Sequence, residues 1–202
     1  MLRLENITVK YEDQTVIQGL DFCFENGKFY GITGLSGIGK TTLFSVASQL
    51  IKPTSGKIIT DGEKIGYVFQ DARLFPWMTT LENVECVGAD KNKAKAYLDV
   101  LLPDCAEKYP YELSGGMRQR VSIARALAYE CDILLLDEPF KGLDKATKEL
   151  VIKKVLEFIK GRTAIMISHD TEDLALCDEV YKMETSPVTK LVAVKSGNLQ
   201  TE

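Results

Sequence analysis

The sequence predicts a single α/β domain built around a parallel sheet, and three features of the chain carry that prediction. Helical patterns alternate with short, continuously apolar segments, as expected for crossover helices and buried parallel strands. The clearest apolar segments are CDILLLDEP and TAIMISHD, and a glycine-rich loop joins an earlier strand to a helix. We therefore expect one domain over residues 1–202, with a helical subdomain at about 74–130.

The first part of the chain predicts an additional antiparallel β subdomain. LRLENITVKY alternates polar and apolar residues like a strand, and TVIQGLDFCFENGKFYGITG contains two strands joined by a turn at Asn26-Gly27. A helical pattern runs from Lys40 to about Leu50, and Pro53 ends it. GKIITDG and KIGYVFQ are two further short strands.

The rest of the chain returns to the alternation of helix and strand. From Thr79 to Tyr129 the pattern is mostly helical, with breaks near Gly88, Pro103 and Pro110. KATKELVIKKVLEFIK predicts an amphipathic helix, and TEDLALCD predicts a short one. The tail EVYKMETSPVTKLVAVKSG predicts two edge strands.

The composition excludes several classes of function. A formal net charge of −4 argues against nucleic-acid binding. The five cysteines form no CxxC pair, which argues against disulfide and zinc frameworks and favours a reducing compartment. No secretory signal opens the chain, and no apolar stretch is long enough to span a bilayer. Any link to a membrane must therefore pass through a partner.

The strongest motif is GLSGIGKTT, which follows a strand pattern and opens a helix. Glycines let the backbone curl so that successive N–H groups point inward, and the helix adds the positive end of its dipole. This arrangement predicts a site for ATP, in which Lys40 reaches the β- and γ-phosphates and the Thr41 hydroxyl binds Mg²⁺. The candidate ATP-binding residues are Gly34, Leu35, Ser36, Gly37, Ile38, Gly39, Lys40, Thr41 and Thr42.

An acidic pair ends the apolar strand ILLLD. Catalytic groups gather at the carboxyl ends of strands in open α/β sheets. Asp137 is therefore a candidate Mg²⁺ ligand, and Glu138 is a candidate general base for the attacking water. The alternative is that the pair only caps a helix or lies in a solvated turn.

The string LSGGMRQR carries a second candidate phosphate site without a lysine. Ser114, Gly115 and Gly116 precede an amphipathic helix, whose first N–H groups are free to bind an anion. A bare Ser-Gly-Gly would indicate only a capped helix. The full string, about twenty residues before LLLDEP, is more specific.

With these motifs in order, the chain resembles the ATP-binding subunit of ABC transporters over nearly its whole length. The matching elements are Gly34–Thr42 as Walker A, Gln70 as the Q-loop glutamine, Leu113–Gln119 as the signature motif, Ile133–Glu138 as Walker B, Leu143 and Asp144 as the end of the D-loop, and His169 as the switch histidine. The resemblance implies a P-loop NTPase fold with a RecA-like core. It further implies that Gln70 and His169 are catalytic, and that Gln70 contacts Mg²⁺.

The same resemblance implies a head-to-tail dimer. Each ATP would lie between the P-loop of one subunit and the signature residues of the other, namely Ser114, Gly115, Gly116 and Gln119. ATP would close the dimer, hydrolysis would open it, and permease subunits in the membrane would move with it. A homodimer at the cytoplasmic face of the cell membrane, working indirectly with a substrate-binding protein, is the expected assembly.

Other residues keep two interpretations. Tyr11 resembles the aromatic that stacks on adenine, but it can also be ordinary edge packing. Asp144 can cap the following helix and also contact the second subunit. The segment LFPWMTTLENV, with the only tryptophan, Trp77, can be core or a groove for a permease helix. It resembles the corresponding segment of nitrate, sulfonate and taurine importers.

The chain also departs from the family. It is short, which predicts a reduced helical subdomain, and its D-loop has the unusual sequence KGLD before the following helix. Competing functions are a soluble ABC-type ATPase of DNA repair or translation, and a non-transporting membrane regulator. A P-loop kinase is the alternative in chemistry, but it does not explain LSGGMRQR or Glu138.

Overall fold

A computed structural model describes residues 1–194, so the end of the expected domain, residues 195–202, lies outside the described residues. The elements are, in chain order, β1 (Leu2–Tyr11), β2 (Gln14–Phe24), β3 (Phe29–Gly34), α1 (Lys40–Ala47), β4 (Ser55–Thr60), β5 (Ile65–Val68), α2 (Thr80–Glu85), α3 (Lys91–Leu101), a 3₁₀ turn (Pro110–Glu112), α4 (Gly115–Ala128), β6 (Ile133–Asp137), α5 (Lys145–Ile159), β7 (Thr163–Ile167), α6 (Thr171–Leu174), β8 (Glu179–Met183) and β9 (Leu191–Ala193).

The beginning of the chain forms a three-stranded antiparallel sheet, as the sequence predicts. Strand β1 lies between β2 and β4, with Leu2 opposite Phe24 on one side and Thr60 on the other. The apolar residues of β1, such as Leu4 and Ile7, are buried because one face of this sheet packs on the core.

The central sheet has six strands in the order β5-β6-β7-β3-β8-β9, and only β9 runs antiparallel to its neighbour. The prediction of two edge strands in the tail is wrong for β8. This strand pairs with β3 on one side and with β9 on the other, so of these two strands only β9 lies at an edge within residues 1–194. The turn at Asn26-Gly27 also joins strands of different sheets, because β2 and β3 do not pair.

Two strands, β6 and β7, form the middle of the core. Every residue of both is buried, as their continuous apolar sequences predict. Their side chains alternate between a cluster beneath the helices α3, α4 and α5 and a cluster beneath α1 and the antiparallel sheet. Helix α1 ends at Ala47 rather than near Leu50, because Gln49 turns into the left-handed region well before Pro53.

The predicted helical subdomain consists of α2, α3 and α4, which contact one another. Side-chain caps fix the start of each helix: Thr79 accepts from the Glu82 amide, Asp90 caps α3, and Ser114 caps α4. Among residues 1–194, no helix combines the length and the apolar character that crossing a bilayer requires.

Candidate nucleotide site

Four neighbouring strands of the central sheet end at the candidate site. The glycine-rich loop follows β3, His169 follows β7, Asp137 ends β6 with Glu138 directly after it, and Gln70 follows β5. Because β5, β6, β7 and β3 are adjacent and parallel, their carboxyl ends lie at one edge. The topology therefore brings together residues that are far apart in the sequence.

The glycine-rich loop adopts a backbone that only glycine tolerates at two positions. Gly39 has φ 116°, and a Cβ there would stand 2.6 Å from Val16 Cγ1. Gly34 has φ 145°, and a Cβ there would stand 2.7 Å from the Met183 carbonyl oxygen. The loop is thereby held close to β8 and to the antiparallel sheet, and it delivers the chain into α1 at Lys40.

Lys40 folds back over this loop. Its Nζ donates to the Gly34 carbonyl at 2.7 Å and to the Leu35 carbonyl at 2.8 Å. Burial lowers the pKa of Lys40, against the opposing influence of Glu138 and Asp137. The site thus holds a poorly solvated cation beside the loop, which is the position that a nucleotide phosphate requires.

Asp137 also lines the cleft and is buried, with 2% of its surface exposed. Its Oδ2 accepts from the Thr41 hydroxyl at 3.0 Å and from the Tyr67 hydroxyl at 3.4 Å. Burial raises the pKa of Asp137, and the negative charge of Glu138 adds to that effect, while the Thr41 hydrogen bond opposes it. The carboxylate is destabilised here, so a cation bound at this point would relieve it.

Glu138 has a strained backbone, with φ 47°. Its Oε2 accepts from Lys141 Nζ at 2.8 Å and from Gln70 Nε2 at 3.3 Å. Its Oε1 lies 3.4 Å from His169 Nε2. Three side chains from different parts of the chain therefore surround this one carboxylate.

Most of the predicted site residues line a single cleft. The lining residues are Ser36, Gly37, Gly39, Lys40, Thr41, Thr42, Gln70, Asp137, Glu138 and His169. Four predicted ATP-binding residues do not line it. Gly34 ends β3 and Leu35 is exposed, and the carbonyls of both accept from Lys40. Ile38 packs into the core, and Tyr11 is an exposed residue at the end of β1.

The signature residues form the exposed start of α4. Ser114 Oγ accepts from the Met117 amide at 3.2 Å, and the space where a Cβ of Gly115 would stand is open. The Gln119 side chain is buried and donates to the Pro139 carbonyl at 3.4 Å in the same chain. Within its own subunit Gln119 therefore holds the loop after Glu138, and a contact with a partner's nucleotide remains a prediction.

Asp144 performs the capping role that the sequence predicts. Its Oδ1 accepts from the Thr147 amide at 3.0 Å at the start of α5. Its carboxylate side chain is exposed and therefore accessible to a second subunit. The contact itself remains a prediction.

Comparison with known proteins decides the family. The model of the ABC transporter family matches residues 17–141. The chain belongs to the ABC transporter family. It is the family's ATP-binding domain, an ATPase.

The ABC ATPase is similar to several curated import proteins. It is 37% identical to the aliphatic sulfonates import ATP-binding protein SsuB 1 of Rhodococcus jostii, over 94% of this chain and 81% of that protein. It is 40% identical to the nitrate import ATP-binding protein NrtD of Synechocystis, over 86% of this chain and 72% of that protein. The resemblance to importers of nitrate and sulfonates is thereby confirmed.

Solved structures confirm the fold of the ABC ATPase. A dimeric post-hydrolysis state of the ATP-binding cassette MJ0796, bound to ADP and Pi, superposes with a TM-score of 0.88 at 28% identity, covering 97% of this chain and 99% of that one. A bacterial Atm1-family ABC exporter with ATP bound gives a TM-score of 0.86 at 26% identity, covering 98% of this chain and 39% of that one. Because an exporter matches as well, the fold by itself does not decide the direction of transport.

Sequence reasoning missed three residues around the cleft of the ABC ATPase. Tyr67 contacts Asp137, and Lys141 contacts Glu138. Lys148 contacts the segment that follows His169. Only Lys141 had a signal in the sequence, since it lies in the unusual KGLD string, three residues after Glu138.

Proposed function

We propose that this ATPase powers an importer by Mg²⁺-dependent ATP hydrolysis between two copies of the chain. The observation that carries the proposal is the convergence of four strand ends on one cleft, which Lys40, Asp137 and Glu138 line together. This arrangement provides separate groups for the phosphates, for a cation and for the attacking water. A kinase mechanism would not explain why the signature residues at the start of α4 are exposed.

Glu138 is the proposed general base. Its side chain is mostly buried yet lines the cleft, and Gln70 and His169 reach its two oxygens from neighbouring loops. These contacts hold the Glu138 carboxylate in one orientation before the water binds. The entropic cost of orienting the base in the transition state is thereby lowered. Gln70 and His169 are proposed to orient the water and the γ-phosphate beside it.

The donor set fits Mg²⁺. The Thr41 hydroxyl and the Asp137 carboxylate are oxygen ligands 3.0 Å apart, facing the cleft. Within residues 1–194 no three acidic, His or Cys side chains form a metal cluster. The proposed ligands are therefore the Asp137 carboxylate, the Thr41 hydroxyl, the side-chain oxygen of Gln70 and the phosphates of ATP. When bound, Mg²⁺ supplies charge neutralisation on the β- and γ-phosphate oxygens.

A second copy of the chain is proposed to complete each site. The exposed N-terminus of α4, with Ser114 and Gly115, does not line the cleft of its own subunit. Free N–H groups and the helix dipole suit the γ-phosphate of a partner's ATP. The similarity to a dimeric cassette supports this assembly. In it, we propose that Tyr11 stacks on adenine and that Asp144 contacts the partner.

The substitution Glu138→Gln tests the proposed chemistry. It keeps the size of the side chain but removes the base, so phosphate release should fall by about 10²–10⁴-fold while ATP binding persists. Size-exclusion chromatography with light scattering should then show an ATP-dependent dimer. Glu157→Gln, on the exposed face of α5, is the matched control and should leave turnover unchanged. Normal turnover in Glu138→Gln would contradict the assignment.

Permease subunits are the proposed membrane partner. An apolar cleft lies between β5 and α4, lined by Tyr67, Phe69, Phe75 and Ala126 among others. Trp77 is 69% exposed beside it, with its ring 5.5 Å from that of Phe75. These exposures support the groove interpretation of LFPWM over the core interpretation.

The loop that presents Trp77 is held in place by Asn83. This fully buried side chain accepts from the Phe75 amide at 2.8 Å and donates to the carbonyls of Phe75, Met78 and Thr79. A buried amide with these partners is a rigid support. The exposed tryptophan is therefore presented on a fixed loop, as a docking surface requires.

The partner and the direction can be tested together. Trp77→Ala should leave the ATPase activity of the isolated subunit unchanged but should lose copurification with a multispanning permease from solubilised membranes. Leu50→Ala, at another exposed apolar side chain, is the control and should keep the permease. Transport of labelled nitrate, sulfonates or taurine into cells, tested with and without the gene, would identify an anionic cargo. Recovery of a division complex, ribosomes or DNA instead of a permease would support the alternative functions.

A further inference from the structure

Lys148 lies one helical turn beyond the residue that caps α5. Its amide donates to the Asp144 carbonyl at 2.8 Å, and Asp144 itself ends the loop that begins at Glu138. Only 19% of the Lys148 side chain is exposed. A lysine that is mostly buried needs partners for its charge, so its contacts indicate what it does.

The ammonium group of Lys148 joins two carboxylates of the segment after His169. Its Nζ is 2.8 Å from Asp170 Oδ2 and 2.7 Å from Asp173 Oδ1. The Asp173 side chain is 7% exposed. The pair with Asp173 is thus shielded from water, unlike the exposed ion pair between Lys154 and Glu157 on α5.

These carboxylates hold the backbone on both sides of His169. Asp173 Oδ2 accepts from the Ser168 hydroxyl at 3.0 Å, and Ser168 Oγ accepts from the Asp170 amide at 3.1 Å. Ser168 and Asp170 are the two chain neighbours of His169. A connected set of hydrogen bonds therefore runs from α5 through Lys148 to the backbone that carries the histidine.

We propose that Lys148 is a positioning residue for ATP hydrolysis: it ties the His169 segment to the helix that continues the Glu138 loop, so that His169 and Glu138 face each other as one unit. The inference rests on the proposed role of His169. The 3.4 Å separation between His169 Nε2 and Glu138 Oε1 is the geometry that this tie maintains. A displacement of about 1 Å at such a contact can cost about 100-fold in rate.

The first test observes the histidine directly. His169 is the only histidine of the chain, so histidine-selective NMR labelling yields signals from this one residue. Lys148→Met, which keeps the length of the side chain but removes its charge, should shift or broaden the imidazole signals. Lys154→Met, which breaks an exposed ion pair with Glu157 on the same helix, is the matched control and should not change them. Unchanged signals in folded Lys148→Met would overturn the proposal.

The second test separates positioning from stability. Lys148→Met should lower kcat for ATP hydrolysis about tenfold or more and leave KM for ATP nearly unchanged. Lys148→Arg, which can bridge both carboxylates, should restore kcat. Because Lys148→Met leaves Asp173 buried and unpaired, the double variant Lys148→Met with Asp173→Asn is also needed.

In that double variant the introduced asparagine carries no unpaired charge, but its side-chain oxygen can still accept from Ser168. We expect the double variant to regain thermal stability while kcat stays low. If kcat recovers together with thermal stability, Lys148 has a purely structural role and the proposal that it positions His169 is wrong.

The variant His169→Ala distinguishes failure of this inference from failure of the proposed function. If His169→Ala retains normal turnover, the catalytic assignment of His169 is wrong, whatever Lys148 does. If His169→Ala loses turnover but Lys148→Met keeps both its NMR signals and its kcat, the proposed function stands and the inference about Lys148 is wrong.

Discussion

Asp137 should reduce the stability of the free protein, and its replacement by asparagine tests this. The carboxylate is 2% exposed and faces Glu138, and its hydrogen bonds come from two neutral hydroxyls, those of Thr41 and Tyr67. Asparagine keeps the size of the side chain and one oxygen that can accept from Thr41. The substitution removes the buried charge while it leaves the packing of β6 intact.

The sign of the effect follows from the pKa. Burial raises the pKa of Asp137 above its ordinary value of 3.8, so the folded state binds the proton more tightly than the unfolded state does. Below pH 3.8 both states are protonated and the penalty vanishes, whereas above the raised pKa it is fully present. Asp137→Asn should therefore stabilise the free protein at neutral pH, and its advantage should shrink as the pH falls.

The size of the effect can be estimated from the cost of a poorly compensated buried group, about 1–3 kcal/mol. For a chain of this size, each kcal/mol moves the melting temperature by about 2–4 °C. Differential scanning fluorimetry at pH 7.5 should show a higher Tm for Asp137→Asn, and in a pH series the difference should shrink as the pH approaches 3.8. Hydrolysis with Mg²⁺ should fall by at least about 100-fold, since a cation ligand is lost. A lower Tm than wild type at pH 7.5 would refute the reasoning.

Three further predictions concern the phosphate loop, the signature helix and the docking loop. Lys40→Met should weaken ATP binding about 10- to 100-fold in a titration, because a phosphate loses its charge-assisted donor, and unchanged affinity would exclude that contact. Gly115→Ala should keep the Tm, because the space around Gly115 is open, yet it should suppress ATP-dependent dimerisation in light scattering. A normal dimer would exclude the proposed contact between subunits. Asn83→Ala should lower the Tm by several degrees, because buried backbone groups of the Trp77 loop lose their hydrogen-bond partner. The same substitution should abolish copurification of the permease. A retained complex would show that the fixed loop is not needed for docking.

The sequence predicts the positions of site residues best where a local motif directly adjoins a regular strand. The glycines of GLSGIGKTT require a backbone that curls between a strand and a helix, and Asp137 follows an apolar run that can only be buried. His169 is predicted in the same way, as a polar residue that closely follows the strand TAIMI. In these cases the local pattern and the topology of a parallel sheet lead to the same edge.

The sequence predicts poorly where the outcome depends on contacts between distant segments. Nothing in EVYKM indicates that β8 enters the interior of the sheet, since that place depends on its pairing with β3. Gln119 lies in a string that resembles a signature motif, but the packing of α4 turns its side chain toward Pro139. Lys148 looks like one of several lysines on an amphipathic helix, and only the fold brings it to Asp173.

Three unfavourable features of this molecule lie at the same edge of the sheet. Glu138 has a left-handed backbone, Asp137 is a buried carboxylate with a raised pKa, and Lys40 is a buried ammonium with a lowered pKa. Each of them costs stability in the free protein, and the apolar strands β6 and β7 beneath them offset that cost. A triphosphate with its cation would relieve the two buried charges at once, because it brings negative charge to Lys40 and positive charge to Asp137. ATP and Mg²⁺ should therefore raise the Tm of wild type much more than that of Asp137→Asn, and equal shifts would mean that the two charges are not part of one site.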